Sequence, residues 1–228
     1  MSNIVGLNIG LADSLSAKTR RFADYYRQLA AGTIREVVDD ETVTLSTVFY
    51  KSKIERATFT KCEEIKELSS TGPFQLCQKL YFIDFPETKK IGINSFAGTK
   101  MLHSVFLPKV TDVGTSAFSN SNVETVDLPL CKLIHSNCFN SCPKLKEIKI
   151  PICSTIQTNA FFNCSALEKI FLDGVTAVPT LGTNALYGTP EELKIIVPDN
   201  LVDAFKAATG WSAYADKIVG ISEYNAAT

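Results

Sequence analysis

Short runs of alternating apolar and polar residues recur along the chain at a nearly constant interval. In VETVDLP, the apolar Val126 and Leu128 are two positions apart and enclose the polar Asp127. Because residues two apart point to the same side of a β-strand, each run predicts a short strand with one buried and one solvent-facing side. The proline that follows most runs has no N–H to donate and predicts the end of pairing. The clearest runs are LYFIDFP, LHSVFLP, VETVDLP, LKEIKIP and LEKIFLD.

Two further positions repeat with the same period of 21 or 22 residues, and weaker copies extend the pattern to about seven units over residues 41–198. A small residue followed by phenylalanine occurs at Phe96, Phe118, Phe139 and Phe161, with outlying copies at Phe49, Phe74 and Leu186. An aliphatic residue opens each unit at Ile91, Val113, Ile134, Ile156 and Val178. A fixed period of this length predicts a solenoid in which stacked units share one core. We expect the phenylalanines inside the coil and the Ser/Asn/Gly residues after them in tight bends.

The repeat unit resembles the BspA-type leucine-rich repeat, with the form I-x-x-x-A-F-x-x-C-x-x-L-x-x-I-x-I-P. The best copy runs from Ile134 to Pro151 and has Phe139, Cys142 and Leu145 in place. The resemblance implies an α/β solenoid with a parallel β ladder, right-handed coils, an N-terminal helical segment and a C-terminal helical cap. Members of the family are similar to surface adhesins, which implies a binding role.

The C-terminal residues 199–228 predict a helical cap over the last coil, because a solenoid without a cap would expose its core. Leu201, Ala204, Phe205 and Ala208 form one apolar face at helical spacing. We expect Asp199 and Asn200 to cap the start of this helix and Gly210 to end it. The single tryptophan, Trp211, is interpreted as a lid rather than a ligand site. Trp211, Tyr214, Ala215 and Ile218 predict a second short amphipathic turn.

Residues 1–40 lack the repeat and predict an attachment or oligomerisation segment. Phe22, Tyr25, Tyr26 and Leu29 are spaced as one face of an amphipathic helix. This helix has two interpretations: it caps the first coil, or it anchors the chain to another protein or to copies of itself. The residues before it predict either a strand that pairs with another chain or a flexible tail.

Composition and charge exclude several classes of protein. The formal net charge is −1, so no basic surface for nucleic acid is expected. The apolar runs are too short to insert in a membrane, and the N-terminus has no signal peptide, which predicts synthesis in the cytoplasm. The odd number of cysteines, seven, excludes complete pairing in disulfides. Cys131 and Cys153 align with Val110 and Val175, so we expect buried thiols that act as small hydrophobic residues and no metal site.

No catalytic or cofactor motif occurs in the chain. His103 and His135 occupy different positions of the repeat, and their sequence neighbours suggest no carboxylate partner. We therefore predict a protein that is not an enzyme and that has no cofactor.

The candidate binding surface is the polar side of the strands. Phe82, Phe106 and Phe171 stand at positions where polar residues are expected, with Lys149 and Lys169 nearby in the same rows. Exposed aromatic residues mark contacts with proteins or sugars. The alternative is that a neighbouring segment covers them.

The features together predict a non-enzymatic recognition or structural protein, a homo-oligomeric component of a phage virion (fibre, tail or capsid decoration). Its partners would be other virion or surface proteins, or a host-surface glycan or protein. The missing signal peptide, the free thiols and the N-terminal segment favour assembly in the bacterial cytoplasm. The alternative is a bacterial leucine-rich-repeat protein-binding or adhesin module with no virion role, in the cytoplasm or at the cell surface.

Overall fold

The structure is a computed structural model that describes residues 5–6, 36–39, 44–45, 49–65 and 70–227. The predicted N-terminal helix with Phe22, Tyr25, Tyr26 and Leu29 lies outside the described residues, so its two interpretations stay predictions. The described strands, in chain order, are β1 (Val5–Gly6), β2 (Glu36–Asp39), β3 (Thr44–Leu45), β4 (Arg56–Phe59), β5 (Glu64–Ile65), β6 (Phe82–Asp84), β7 (Lys90–Ile91), β8 (Ser104–Phe106), β9 (Asp112–Val113), β10 (Thr125–Asp127), β11 (Leu133–Ile134), β12 (Glu147–Lys149), β13 (Thr155–Ile156), β14 (Lys169–Phe171), β15 (Thr180–Leu181), β16 (Lys194–Val197) and β17 (Ile218–Gly220).

Each coil contributes one longer strand, one two-residue strand and one tight bend, which confirms the predicted solenoid of about seven turns. The longer strands stack in parallel from β8 through β16 to β17, and the two-residue strands stack from β3 to β15. The register equates repeat positions: Val126 lies between Val105 and Ile148, and Asp127 lies between Phe106 and Lys149. Apolar residues therefore align with apolar residues on the inner side, and the polar positions form rows on the outer side.

The long-strand ladder is interrupted once within the described chain. Strands β1, β2, β4 and β6 form one sheet, and β8, β10, β12, β14, β16 and β17 form another, so β6 and β8 are not paired. The same two coils stay joined elsewhere. Lys90 pairs with Asp112 in the two-residue strands, and the Phe96 N–H donates to the Ala117 carbonyl at 2.7 Å. The solenoid is thus continuous, with a gap on one side only.

Strands β1 and β2 come from residues 1–40 and belong to the ladder. Val5 pairs with Val37 in parallel, and β2 pairs with β4. Within this chain, then, Val5–Gly6 form a strand that pairs in cis. The ladder begins upstream of residue 41, and a separate role for residues 1–40 stays a prediction.

The bends on the third side confirm the predicted turn chemistry. Each complete repeat has two residues with φ between about 55° and 75°, and most are Asn, Ser or Gly. Asn137, at φ 57°, is one example. Asn and Gly tolerate this left-handed conformation, whereas larger side chains are strained in it. Backbone bonds link successive bends, as where the Phe118 N–H donates to the Cys138 carbonyl at 2.8 Å.

A row of six parallel phenylalanine rings fills the coil beside these bends, as the sequence predicts. Successive ring centroids are between 4.9 and 5.4 Å apart, and the rings are within 12° of parallel. The row is formed by Phe49, Phe74, Phe96, Phe118, Phe139 and Phe161. This spacing follows from the separation of stacked β-strands and makes each ring part of the core of two coils.

All seven cysteines are free and buried, which confirms the predicted buried thiols. Their description as small hydrophobic residues is wrong for one position of the repeat. Cys142 donates to the Phe118 carbonyl at 3.1 Å, and Cys164 donates to the Phe139 carbonyl at 3.1 Å. Ser121 and Thr99 stand at the same position in other coils and are also buried. These thiols and hydroxyls satisfy buried carbonyl groups.

One repeat position was misaligned in the sequence analysis. Ile156 pairs with Leu181, and Val178 does not belong to the paired strand. The last coil is longer than the others, because three additional residues separate these strands. Val178 packs against the core as a partly buried residue.

The C-terminal cap contains α1 (Val202–Ala207), α2 (Ile221–Ala227) and two 3₁₀ helices, Asp199–Leu201 and Ser212–Lys217. Trp211 is fully buried beside Phe205, and its Nε1 donates to the Pro179 carbonyl at 2.6 Å, which confirms its role as a lid. Two details of the prediction are wrong. Asp199 does not cap its own helix and instead accepts bonds from the Ser222 N–H and hydroxyl. Ile218 begins a strand, β17, that extends the ladder.

Candidate binding surface

The ladder face is the name used here for the outward-pointing residues of strands β4 to β16. It has two rows, as the sequence predicts. One row is Arg56, Phe82, Ser104, Thr125, Glu147, Lys169 and Lys194. The other is Thr58, Asp84, Phe106, Asp127, Lys149, Phe171 and Ile196. The three outward phenylalanines therefore lie on one face, but their surroundings differ.

Phe171 is partly covered by the C-terminal helix. The Tyr224 ring of α2 meets it edge-on, with 5.6 Å between ring centroids, and Ile196 in the next coil is fully buried. Burial opposes the charge of Lys169, but Tyr224 and Glu147 outweigh this effect and raise the pKa of Lys169 above its usual value. For Phe171 and Lys169, then, a neighbouring segment accounts for part of the apolar surface.

Phe82 carries a cation of the same chain on its ring. Arg56 Cζ lies 4.1 Å from the ring centroid, and Arg56 Nε lies 3.0 Å from Glu36 Oε1. Hydrogen bonds to Tyr81 and Glu36 raise the pKa of Arg56. The Phe82 side chain is 37% exposed, so one side of this cluster stays open to solvent.

Phe106 is the most exposed large apolar residue of the described chain, at 62%. A shallow groove of about 340 Å³ lies beside it, lined by Ser104, Thr125, Asp127 and other ladder residues. The Thr125 hydroxyl donates to that of Ser104 at 3.0 Å and closes one side of the groove. An open aromatic ring next to a polar groove is a typical contact surface for a partner.

The middle of the ladder face is an ion-pair network. Glu124 lies 3.0 Å from Lys146 and 3.2 Å from His103, and these contacts hold the pKa of Glu124 below its usual value. Glu147 lies 3.5 Å from Lys149 and 3.7 Å from Lys169. The two lysines predicted as binding residues are therefore already engaged within the chain.

Both histidines have carboxylate partners that the sequence analysis missed. His103 Nδ1 lies 3.2 Å from Glu124, and His135 Nε2 lies 2.9 Å from Asp112, beside a groove of about 310 Å³ that Lys90 also lines. The repeat itself contains the signal, because residues 21 to 23 positions apart meet on neighbouring coils. Within the described part of the chain, no group of three or more His, Cys, Asp or Glu residues could hold a metal ion.

A second exposed aromatic pair, on the bend side, was also missed. The Phe162 and Tyr187 rings stack with 5.2 Å between centroids, and Tyr187 is 59% exposed. This pair lies away from the ladder face and has no carboxylate contact among its described interactions. Its exposure makes Tyr187 a matched reference for Phe106.

The parallel ladders, the asparagine-rich bends and the phenylalanine row define a leucine-rich-repeat solenoid. The sequence profile of the BspA type leucine rich repeat region matches residues 69–194 in six copies. The chain therefore belongs to this family. Solenoids present extended binding surfaces, so the family indicates a structural or binding role.

Three solved structures are similar to the chain over most of their length. They are a leucine rich cell surface protein from Faecalibacterium prausnitzii A2-165 (17% identity, 86% of this chain and 76% of that one, TM-score 0.29), the pneumococcal vaccine antigen PcpA (12%, 82% and 78%, TM-score 0.30), and a leucine-rich repeat protein from Bacteroides ovatus ATCC 8483 (13%, 83% and 82%, TM-score 0.30). These values are too low to carry a functional comparison. No curated protein sequence matches that of this chain. Among the described residues, no helix is long and apolar enough to cross a membrane.

Proposed function

We propose that this chain is a non-enzymatic recognition module that binds a partner protein through the ladder face around Phe106. The observation that carries the proposal is the 62% exposure of Phe106, in a row whose other members are polar or covered. Leaving such a ring in water lacks the stabilisation of about 2 kcal/mol that its burial would give. A partner that covers it regains that energy, and the adjacent groove offers hydroxyl and carboxylate groups to fix orientation.

Site-specific photo-crosslinking tests this proposal. A benzoylphenylalanine at position 106 is compared with one at position 187, because Phe106 and Tyr187 are similarly exposed on different sides of the coil. Both proteins are irradiated in the lysate and envelope fraction of the organism that encodes the chain. We expect a discrete crosslinked protein at position 106 that is lost with Asp127→Asn, and none at position 187. Equal labelling at both positions, or none at 106, contradicts the proposal.

The finer assignments stay predictions. One is a component of a phage particle that binds a host surface or another virion protein, and the other is a bacterial adhesin module. The missing signal peptide and the free thiols support the first. Peptide mass spectrometry of purified particles separates them, because a virion component is present in a fixed copy number.

Self-association through the N-terminal segment is tested in the full chain. The mass in solution is measured for the natural protein and for a Phe22→Ser/Tyr26→Ser variant. An oligomer that dissociates in the variant supports attachment through this helix. A natural protein that is monomeric contradicts it.

A further inference from the structure

Two of the three outward phenylalanines carry a cation supplied by this chain, and the two sites have the same construction. Arg56 pairs in register with Phe82, one coil later, and its guanidinium carbon lies 4.1 Å from the ring centroid. Lys149 pairs in register with Phe171, also one coil later, and its Nζ lies 5.6 Å from that ring centroid. In both cases, the cation comes from the same row of the preceding coil.

A carboxylate holds each of these cations in place. Arg56 Nε lies 3.0 Å from Glu36, and Lys149 Nζ lies 3.5 Å from Glu147. Each site is therefore a group of three: an aromatic ring, a cation on its face and a carboxylate beside the cation. The ring quadrupole and the carboxylate both favour the charged form of the cation.

Phe106 has the ring and the carboxylates but lacks the cation. The corresponding residue of the preceding coil is Asp84, and the paired residue of the following coil is Asp127. In the described part of the chain, no ion pair or hydrogen bond involves either side chain, and no cation lies on the Phe106 ring. Lys149, the next residue of the row, is engaged with Glu147 and the Phe171 ring.

We propose that Phe106, Asp84 and Asp127 form a receptor for one arginine or lysine side chain of an extended segment of a partner protein. This inference rests on the proposed function and adds the chemistry of the partner. The ring accepts the face of the cation, and the two carboxylates flank it. Arginine fits best, because its planar guanidinium stacks on a ring and bonds carboxylates at its edge.

Charge complementarity favours a cationic polypeptide over other ligands. A phosphate backbone would meet two unpaired carboxylates and be repelled. A neutral sugar would stack on the ring but leave both negative charges uncompensated. The groove of about 340 Å³ beside Phe106, with the Ser104 and Thr125 hydroxyls, has room for the stem of the side chain and for neighbouring backbone.

A peptide selection tests the receptor with a defined probe. Random 12-residue peptides displayed on ribosomes are selected on the natural protein, with counter-selection on Phe106→Ser. Enriched peptides are synthesised with their common basic residue as arginine, as the uncharged isostere citrulline and as glutamate. Dissociation constants are measured by fluorescence anisotropy at 50 and 300 mM NaCl, on the natural protein and on Phe106→Ser, Asp127→Asn, Asp84→Lys and Tyr187→Ser.

We expect arginine or lysine at one shared position of the selected peptides. Citrulline should weaken binding about fivefold to tenfold, since it removes the cation–π and ion-pair contributions. Asp127→Asn should weaken it about threefold to fivefold, and Phe106→Ser about tenfold or more. Asp84→Lys places the chain's own cation on the ring and should abolish measurable binding. Tyr187→Ser should change nothing.

The outcomes separate this inference from the proposed function. Peptides that require Phe106 but bind equally well with citrulline overturn the receptor and leave the ladder face as a binding surface. A neutral glycan that binds and requires Phe106 does the same. Peptides that depend on Tyr187 and not on Phe106 overturn both. A selection that enriches no peptide on the natural protein over Phe106→Ser also overturns the receptor for a cationic segment. Unchanged thermal unfolding of each variant shows that the fold is intact.

Discussion

The buried phenylalanine row and the phenylalanines of the ladder face differ in what surrounds the rings. In the buried row, each interior ring contacts a ring before and after it at about 5 Å, and all six are at most 1% exposed. On the ladder face, the three rings contact cations, a tyrosine edge or solvent. The rings of the row are interchangeable, whereas Phe82, Phe106 and Phe171 have three distinct environments.

The difference separates stability from recognition. The buried row contributes the same packing energy in every coil, so its residues have to repeat. The ladder face contributes little to packing, so its residues are free to vary from coil to coil. Phe106 is where this variation leaves an aromatic ring open and two carboxylates unpaired.

The largest expected effect is the loss of one ring from the buried row. Phe118→Ala should lower the free energy of unfolding by about 3–5 kcal/mol, because it leaves a cavity between the Phe96 and Phe139 rings. The matched change Phe106→Ala should cost less than about 0.5 kcal/mol, because that ring is mostly in water. Urea unfolding of the two variants measures both values. Equal losses would mean that Phe106 is part of the core, contrary to its exposure.

Much of the fold could be predicted because the repeat states the same structure several times. The register of the rows, the buried phenylalanines and the bend residues all follow from a period of 21 or 22 and the alternation within each strand. The prediction failed where one copy departs from the period. Val178 was placed by extrapolation, although the last coil is longer and Leu181 takes the paired position. Strand β17 was missed because no repeat motif accompanies Ile218.

The candidate site was predicted only in part, because its chemistry depends on contacts between coils. Phe82, Phe106 and Phe171 were identified as outward-pointing, but the sequence did not distinguish the covered Phe171 from the open Phe106. That difference depends on Tyr224, which is more than 50 residues away along the chain. The unpaired state of Asp127 depends on Lys149 making its contacts with Glu147 and Phe171 instead.

The thiols behind the buried row provide a pH-dependent test. Burial raises the pKa of the Cys77 thiol to about 11, and its Sγ donates to the Phe49 carbonyl at 2.7 Å. An unfolded thiol has a pKa of about 8.5, so the unfolded chain loses this proton first as pH rises. The stabilisation is complete below about pH 8.5 and is lost as pH rises through about 11, at about 1.4 kcal/mol per pH unit.

Cys77→Ser removes this titration while keeping a donor, as Ser52 and Ser121 do at the same repeat position. Between pH 8 and pH 10.5, the natural protein should lose about 2–3 kcal/mol more than the variant in urea unfolding under reducing conditions. The surface change Tyr187→Ser is the control and should follow the natural protein. An identical pH dependence in Cys77→Ser would show that the thiol is not shielded as its burial implies.

The cap at the end of the row should have a smaller effect. Trp211→Phe keeps the aromatic contact with Phe205, whose centroid is 5.1 Å away, but removes the donor to the buried Pro179 carbonyl. An unpaired buried acceptor costs about 1–3 kcal/mol, so we expect a loss of about 2 kcal/mol. Thermal unfolding measures it, with the exposed Tyr187→Phe change as the control. A loss below about 0.5 kcal/mol would mean that water replaces the indole.

The smallest expected effect is a gain on the ladder face, and it distinguishes Phe106 most directly from the other two outward rings. Asp84→Lys places a cation in the row position that Arg56 and Lys149 occupy before Phe82 and Phe171. With Asp127 beside it, the new lysine should stabilise the fold by about 0.5–1 kcal/mol through the Phe106 ring. In a double-mutant cycle with Phe106→Ser, this coupling should disappear. Because β6 and β8 are not paired, the position of residue 84 relative to Phe106 is not fixed by backbone hydrogen bonds. A coupling near zero would therefore mean that the gap in the ladder holds residue 84 too far from the ring, and that any cation bound at Phe106 is held by Asp127 alone.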